Sequence, residues 1–394
     1  MNRIFLIGNG FDLAKGLKSR YNDFIDWFWG NIIKDFNDRE DPVFFENEFI
    51  RINVPANFFG ALELEVTGYK TFKATLTGLR IEIEFKSNFF KEISEKSSSN
   101  WVDIEDEYFQ ELKRIIQDPI RDRSEKKIRK LNSDLEKIKL ELRRYLTEKL
   151  NEFKFEKFSA KSIGEDFNLM DFTSEGIEQF ETEYFPMTGD FARRAIFSNI
   201  KKNLDQNSYI SCNTGIYPEN VLFLNFNYTD IVSRIIQDIK HEDWYLGNWA
   251  KANVSDIYIH GKLDDPTNPI IFGYGDENDE IHNEIEKKGG EYLTNIKTIN
   301  YLKTRNYKNL LKFLESGMYQ IFILGHSCGL SDKTLLKTMF EHENCISIKP
   351  FYYTDEKGYN NYDDIVKNIY RTFSNKAAMR DKVVNKEFCQ ELSI

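Results

Sequence analysis

The sequence predicts an α/β protein: a Rossmann-like, doubly wound parallel sheet carrying a large, mostly helical insertion. Three observations carry that expectation. The chain opens with an apolar run over residues 4–7, which stops at Gly8-Asn9-Gly10 and leads into a helical pattern. Beyond Val221 the short apolar runs VLFLNF, DIYIHG, YQIFILG and CISIKPFYY recur, with helical stretches or loops between them. Strands alternating with helices assemble as a parallel sheet. The middle of the chain has a different character, charged and helical, and so reads as an insertion between the first strand and the later ones.

Taken in order, residues 4–7 read as a buried strand and residues 13–29 as a helix, with Tyr21, Phe24, Ile25 and Phe28 at helical spacing. Leu79-Arg80-Ile81-Glu82-Ile83-Glu84-Phe85 alternates strictly and predicts a half-solvated strand; residues 62–66 are its expected partner, in an antiparallel flap over 62–86. Residues 103–155 are helical and charged. Ile128, Leu131, Leu135, Ile138, Leu142 and Tyr145 keep a 3-4 spacing, which predicts a helical hairpin or short coiled coil and suggests homo-oligomer contacts. The expected domains are therefore a nucleotide-binding domain of residues 1–30 and 181–394 and an inserted region of residues 31–180.

Composition narrows the function. A formal net charge of −10 over 394 residues argues against a general nucleic-acid binder, although Lys126, Lys127, Arg129 and Lys130 form a local basic cluster. The four cysteines are widely spaced with no CxxC pair, as expected of reduced, buried thiols. The N-terminus lacks a signal-peptide pattern, and no apolar run approaches the roughly 20 residues that span a bilayer, so a soluble cytoplasmic protein without a membrane partner is expected. No metal site is expected: His241 and His282 lack ligand-spaced partners, and Asp276, Glu277, Asp279 and Glu280 read as a solvated acidic loop.

The chemistry-bearing residues fall at strand ends. Gly8 and Gly10 follow the first strand, where glycines admit a pyrophosphate and the next helix offers its N–H groups. The third glycine of a dinucleotide fingerprint is absent, since Leu13 occupies its place. An Asn9-Gly10 hairpin turn is the competing reading, and Asp12 either caps the helix or faces a ligand. Asn225, Asn227, Tyr228, Thr229 and Asp230 leave a second strand, His260 and Gly261 a third, and Gly325, His326, Ser327 and Asp332 a fourth. In a parallel sheet these ends converge on one edge. Gly325-His326-Ser327-Cys328-Gly329 also matches the G-x-S-x-G nucleophile elbow, but the sole later histidine, His342, leaves that elbow without a well-placed base. Trp101-Val102-Asp103-Ile104-Glu105-Asp106-Glu107 reads as a helix start with acids on its dipole, or else as a segment sending Asp103 or Glu105 into the pocket.

The blocks IGNGFDLAKGLKSRYNDF, NWVDIEDEYF, LNFNYTD, IHGKLDDP with FGYGDE, and ILGHSCGLSD together resemble, in the same order, the AbiH family of bacterial phage abortive-infection proteins. That family in turn looks like a branch of the sirtuin-like fold. The resemblance implies an NAD pocket in which Gly8 and Gly10, with Asn9 and Asp12, form the glycine turn; Asn227 matches the asparagine; His260 with Gly261 is the His-Gly motif; and Gly325 with Ser327 contacts ribose. Thr229 stands where the sirtuin-like Asn-x-Asp has its acid, with Asp230 one position further on. Nothing resembles a four-cysteine zinc module, so protein deacylation is not implied.

The implied activity is that of an antiphage effector hydrolysing NAD at the nicotinamide–ribose bond. Asn227 would hold ribose hydroxyls and orient water, His260 would act as general base, and Asp230 or Asp12 would offset the developing cation. The alternatives are a non-catalytic sensor of NAD or ADP-ribose and an effector acting on nucleic acid. A phage trigger is expected, of unspecified identity, and the insertion is the natural regulatory or assembly element.

Overall fold

The computed structural model describes residues 1–40, 43–55, 64–97, 103–118, 121–155, 165–185, 191–206, 212–241, 252–277 and 281–392. The described strands are β1 (Asn2–Ile7), β2 (Phe44–Glu46), β3 (Ile50–Asn53) and β4 (Ile83–Phe85), then β5 (Asn220–Asn225), β6 (Asn253–Tyr258), β7 (Tyr319–Leu324) and β8 (Cys345–Phe351). They form a five-stranded sheet in the order β6-β5-β1-β7-β8 and a three-stranded sheet in the order β2-β3-β4.

All four pairings of the larger sheet are parallel. Its composition explains this: β1, β7 and β8 are buried along their whole length, as strands covered by helices on both faces must be. The edge strand β6, Asn-Val-Ser-Asp-Ile-Tyr, is polar and largely exposed. The chain runs outward from β1 through β5 to β6, then returns to lay β7 on the other side of β1 and continues to β8. Strand order therefore reverses at β1, and in open α/β sheets ligands bind beyond the carboxyl ends of the strands at such a reversal. Ile7 is level with Asn225 and Leu324, and Asn225 with Tyr258, so four strands end on one line.

The chain divides into two compact units. The first, residues 1–17, 154–271 and 300–394, contains the parallel sheet. One face of the sheet gives Ile4, Leu6, Leu222, Leu224, Ile321 and Ile323 to a core shared with Leu335, Leu336, Met339, Ile365 and Ile369. Phe167, Leu169, Phe172 and Phe180 form a second cluster with Met1 and Ile346. These aromatics tie residues 165–180 to the sheet, so the expected insertion of 31–180 is too long at its C-terminal end.

The second unit comprises residues 18–153 and 272–299. The helix Tyr21–Asn37 belongs wholly to it, which corrects the boundary expected at residue 30. Its buried face stacks aromatic rings, with Trp29 5.4 Å from Phe90 and Phe28 5.5 Å from Phe49. The flap is also redrawn. β4 pairs antiparallel with β3; of its expected partner, residues 64–66 lie in no strand, and 62–63 lie outside the described residues. The alternation over 79–82 marks a helix end: Leu79 caps the helix Gly68–Gly78, and Arg80 takes φ +59°. Asn47 builds the β2–β3 turn by accepting the Phe49 and Ile50 N–H groups at 2.8 and 2.9 Å.

The charged stretch forms two helices, Ile104–Ile116 and Arg121–Glu152, joined by a Tyr108 hydroxyl bond to Asn132 Oδ1 at 2.8 Å. Ile128, Leu131, Leu135, Ile138, Leu142 and Tyr145 are all buried within the unit. In the basic cluster, Lys127 pairs with Asp118 at 2.7 Å, Lys130 with Asp134, and Arg129 lies 4.0 Å from Glu291. Among the described residues no helix is long and apolar enough to cross a membrane.

Candidate active site

The level strand ends bring residues 8–12, 225–230, 259–261 and 325–332 to one edge of the first unit. The β1 and β7 turns lock together there. Gly8 N–H donates to Leu324 O at 3.1 Å and Gly10 N–H to Gly325 O at 2.8 Å. Gly325 has φ +70°, and a Cβ on it would lie 2.1 Å from Phe11 N; one on Gly8 would lie 2.4 Å from His326 Cα. All three glycines are thus required by backbone meeting backbone. At the turn where the glycines were expected to admit a pyrophosphate, the Gly8 and Gly10 N–H groups are committed within the chain. The helix they open, Asn9–Ala14, is only six residues long.

Asp12 lies in that helix and caps nothing. Its Oδ2 accepts the Thr229 hydroxyl at 2.5 Å, and its Oδ1 is buried without a hydrogen bond. Burial raises its pKa from 3.8 to about 7; the Thr229 and Asn227 side chains counter part of that, and the Asp230 charge adds to it. Thr229, the residue in place of the expected acid, is therefore the partner of a carboxyl that titrates near neutrality.

Asn227 is a clip between strands: its Nδ2 donates to Gly8 O at 3.0 Å, and its N–H to Asn225 Oδ1 at 2.9 Å. Asp230 pairs with Arg234 Nε at 3.0 Å in the first turn of the helix Ile231–His241. Asn9 and Ser327 are exposed. Gly261, with φ +86°, lies beneath Pro269, whose oxygen would be 2.2 Å from a Cβ.

His260 lies just beyond β6, and its surroundings come from three elements. Its Nε2 is 3.1 Å from Asp332 Oδ1 and 3.2 Å from the Tyr301 hydroxyl. On the other side of the carboxylate, His326 Nε2 is 3.6 Å from Asp332 Oδ2. Phe226 packs edge-on against both imidazoles, with centroids 4.9 and 4.3 Å away. Both histidines and Asp332 are buried. The sequence placed Asp332 at a strand exit with Gly325, His326 and Ser327 and assigned it no role of its own. Asp332 does occupy the N-cap of the helix Lys333–Phe340, yet its side chain makes no cap bond and faces the histidines instead. Tyr301 carried no sequence signal at all.

The G-x-S-x-G match is no elbow. After Ser327 the chain passes through a 3-10 turn, Leu330–Asp332, before the helix begins, and among the described residues the Ser327 hydroxyl bonds no histidine. Cys328 is buried and its thiol is pushed far up by desolvation, so it is a poor nucleophile.

The AbiH family model, described as bacteriophage abortive infection, matches residues 4–353. The chain belongs to the AbiH family. Neither the curated proteins nor the solved structures contain a match. In this AbiH protein Asp103 and Glu105 lie in the second unit: Asp103 caps its helix through the Glu105 and Asp106 N–H groups, and Glu105 binds Lys297 at 2.7 Å. Among the described residues no group of His, Cys, Asp and Glu could hold a metal ion. His282 pairs with Glu286 at 3.3 Å, and Asp279 and Glu280 lie outside the described residues.

Proposed function

We propose that this AbiH protein is a hydrolytic effector whose acid–base centre is His260 with Asp332 and His326, and that NAD, cleaved at its nicotinamide–ribose bond, is its substrate. The observation that supports the reading is the convergence of two imidazoles, the carboxylate between them and a neutral-titrating Asp12 where strand order reverses. The chemistry asks little else of the protein. The C1′–N bond breaks with its electron pair leaving on neutral nicotinamide, water attacks C1′, and the water's proton passes to His260. Asp12, ionised, would favour the cationic ribose. With the Gly8 and Gly10 N–H groups committed, the sugar and not the pyrophosphate would face the glycine turn.

The test is incubation of the purified chain with NAD, following nicotinamide release beside His260→Ala and Asn227→Ala. Release should fall by about 10²- to 10⁴-fold in His260→Ala. No release from the wild type, with or without phage lysate, would overturn the reading.

The same glycine lock favours a second reading, a nucleotide sensor without turnover. In that case NAD or ADP-ribose binds and is not cleaved, and His260→Ala alters affinity alone.

A further inference from the structure

We infer that Asp12 is a specificity-determining residue. Its buried carboxyl, which no cation answers among the described residues, makes the site prefer a ligand that brings the positive charge itself. That ligand carries the oxidised pyridinium ring of NAD and not the neutral reduced ring of NADH. The inference rests on the reading above that a nicotinamide dinucleotide lies at this edge, and extends it from the reaction to the choice of ligand.

The geometry begins just past β1. Asp12 is 1% exposed, its Oδ2 accepts the Thr229 hydroxyl at 2.5 Å, and its Oδ1 makes no hydrogen bond. A hydroxyl carries no charge and keeps its bond to a carboxyl that is protonated or ionised. Two more side chains come from the turn after β5. Asn227 spends its Nδ2 on Gly8 O at 3.0 Å, and Asp230 spends its charge on Arg234 Nε at 3.0 Å. The charge that bears on Asp12 is that of Asp230, and not of Lys15, which ends the same short helix. Asp171, also buried in the first unit, is answered by the Lys349 ammonium at 3.3 Å.

A carboxylate in a water-excluded interior is costly without a cation, so Asp12 resists ionisation until a positive charge arrives. The pyridinium of NAD brings that charge to the edge where β1 and β5 end, and the reduced ring brings none. With so little of its side chain exposed, Asp12 acts on the ring through the electric field and not by contact. The coupling runs both ways: the bound cation holds Asp12 ionised, and a proton leaves as the ligand binds.

The experiment is calorimetric titration of the full chain at about pH 6, 7 and 8, in buffers of differing ionisation enthalpy. The two ligands are NADH and a NAD analogue whose ribose ring oxygen is replaced by carbon, which keeps the pyridinium charge and resists cleavage. With a carboxyl titrating at about 7, affinity for the analogue should rise by up to about tenfold across that range. Binding at its acid end should release close to one proton, and NADH should show neither effect. In Asp12→Asn the two affinities should lie within about twofold of each other. His260 and His326 belong to the same edge, and the difference between wild type and Asp12→Asn removes their share. Equal wild-type affinity for the two ligands, or a ratio that does not move with pH, would overturn the inference even where the variant does not fold. A preference that survives Asp12→Asn would do the same. Nicotinamide release without the preference would sink this inference and leave the hydrolytic reading standing. The preference without release would support it on a sensor, and binding of neither ligand would remove both.

Discussion

Two buried carboxylates, one in each compact unit, show how differently the same group can be housed. In the second unit Glu105 is answered by the Lys297 ammonium at 2.7 Å and the Gly273 N–H at 3.1 Å. In the same unit Asn295 bonds the Tyr108 hydroxyl and Asn132 Oδ1, at 3.3 and 3.2 Å. Those polar groups close upon one another, as structural polarity in a low-dielectric interior must. Asp12 in the first unit has a hydroxyl on one oxygen and no hydrogen bond on the other, and the charge acting on it is that of another acid, Asp230. A carboxyl housed this way stays close to its titration point. Burial alone therefore does not mark a site; burial without charge compensation does.

The contrast can be broken hardest at Lys297. Lys297→Met leaves Glu105 a buried, uncompensated charge, and should lower unfolding stability by about 3–5 kcal/mol, read as a fall in urea midpoint. A loss of less than about 1 kcal/mol would mean that Glu105 needs no cation, and the difference between the two carboxylates would vanish.

Asp12 supplies the next effect, one that depends on pH. Its folded pKa is raised from 3.8 to about 7, so its contribution to stability is present in full below pH 3.8 and is lost as pH rises towards 7. Relative to Asp12→Asn, the wild type should lose about 1.4 kcal/mol per pH unit across that window and nothing further above it. Parallel pH profiles for the two proteins would show that Asp12 is compensated after all.

The smallest effect belongs to the solvated face of the long helix. Arg144 binds Glu141 at 2.9 and 3.0 Å with its side chain largely exposed, and Arg144→Ala should change stability by less than about 0.5 kcal/mol. A larger loss would place that helix face in a contact, and would sharpen the difference between charges that pair in water and those that pair in the interior.

The legibility of the site follows the range of each interaction. His260, Asn227 and the Gly8 turn were visible because each stands at the end of an apolar run, and parallel pairing in register carries strand ends to a common edge. Asp332 was visible as a residue at a strand exit and hidden as a partner, since the histidine it faces across the site, His260, lies 72 positions away in the chain. Tyr301 was invisible: nothing near it in sequence says that it meets a histidine 41 positions earlier. The flap was misdrawn for a related reason. Period-two alternation over 79–85 is the same in a strand as in a helix end followed by a short strand, and the true partner, β3, is a four-residue strand too short to announce itself.

By itself the sequence determined the parallel α/β sheet, the long helices, the AbiH family and the edge on which the polar strand ends meet. Those follow from local period, from turn chemistry and from the order of motifs. The tertiary structure alone decided which side chains answer one another there. It turned three glycines into a backbone clasp, set Thr229 on Asp12 and placed Asp332 between two histidines. Such choices depend on atoms brought within about 3 Å by the packing of distant segments, and no periodicity along the chain encodes them.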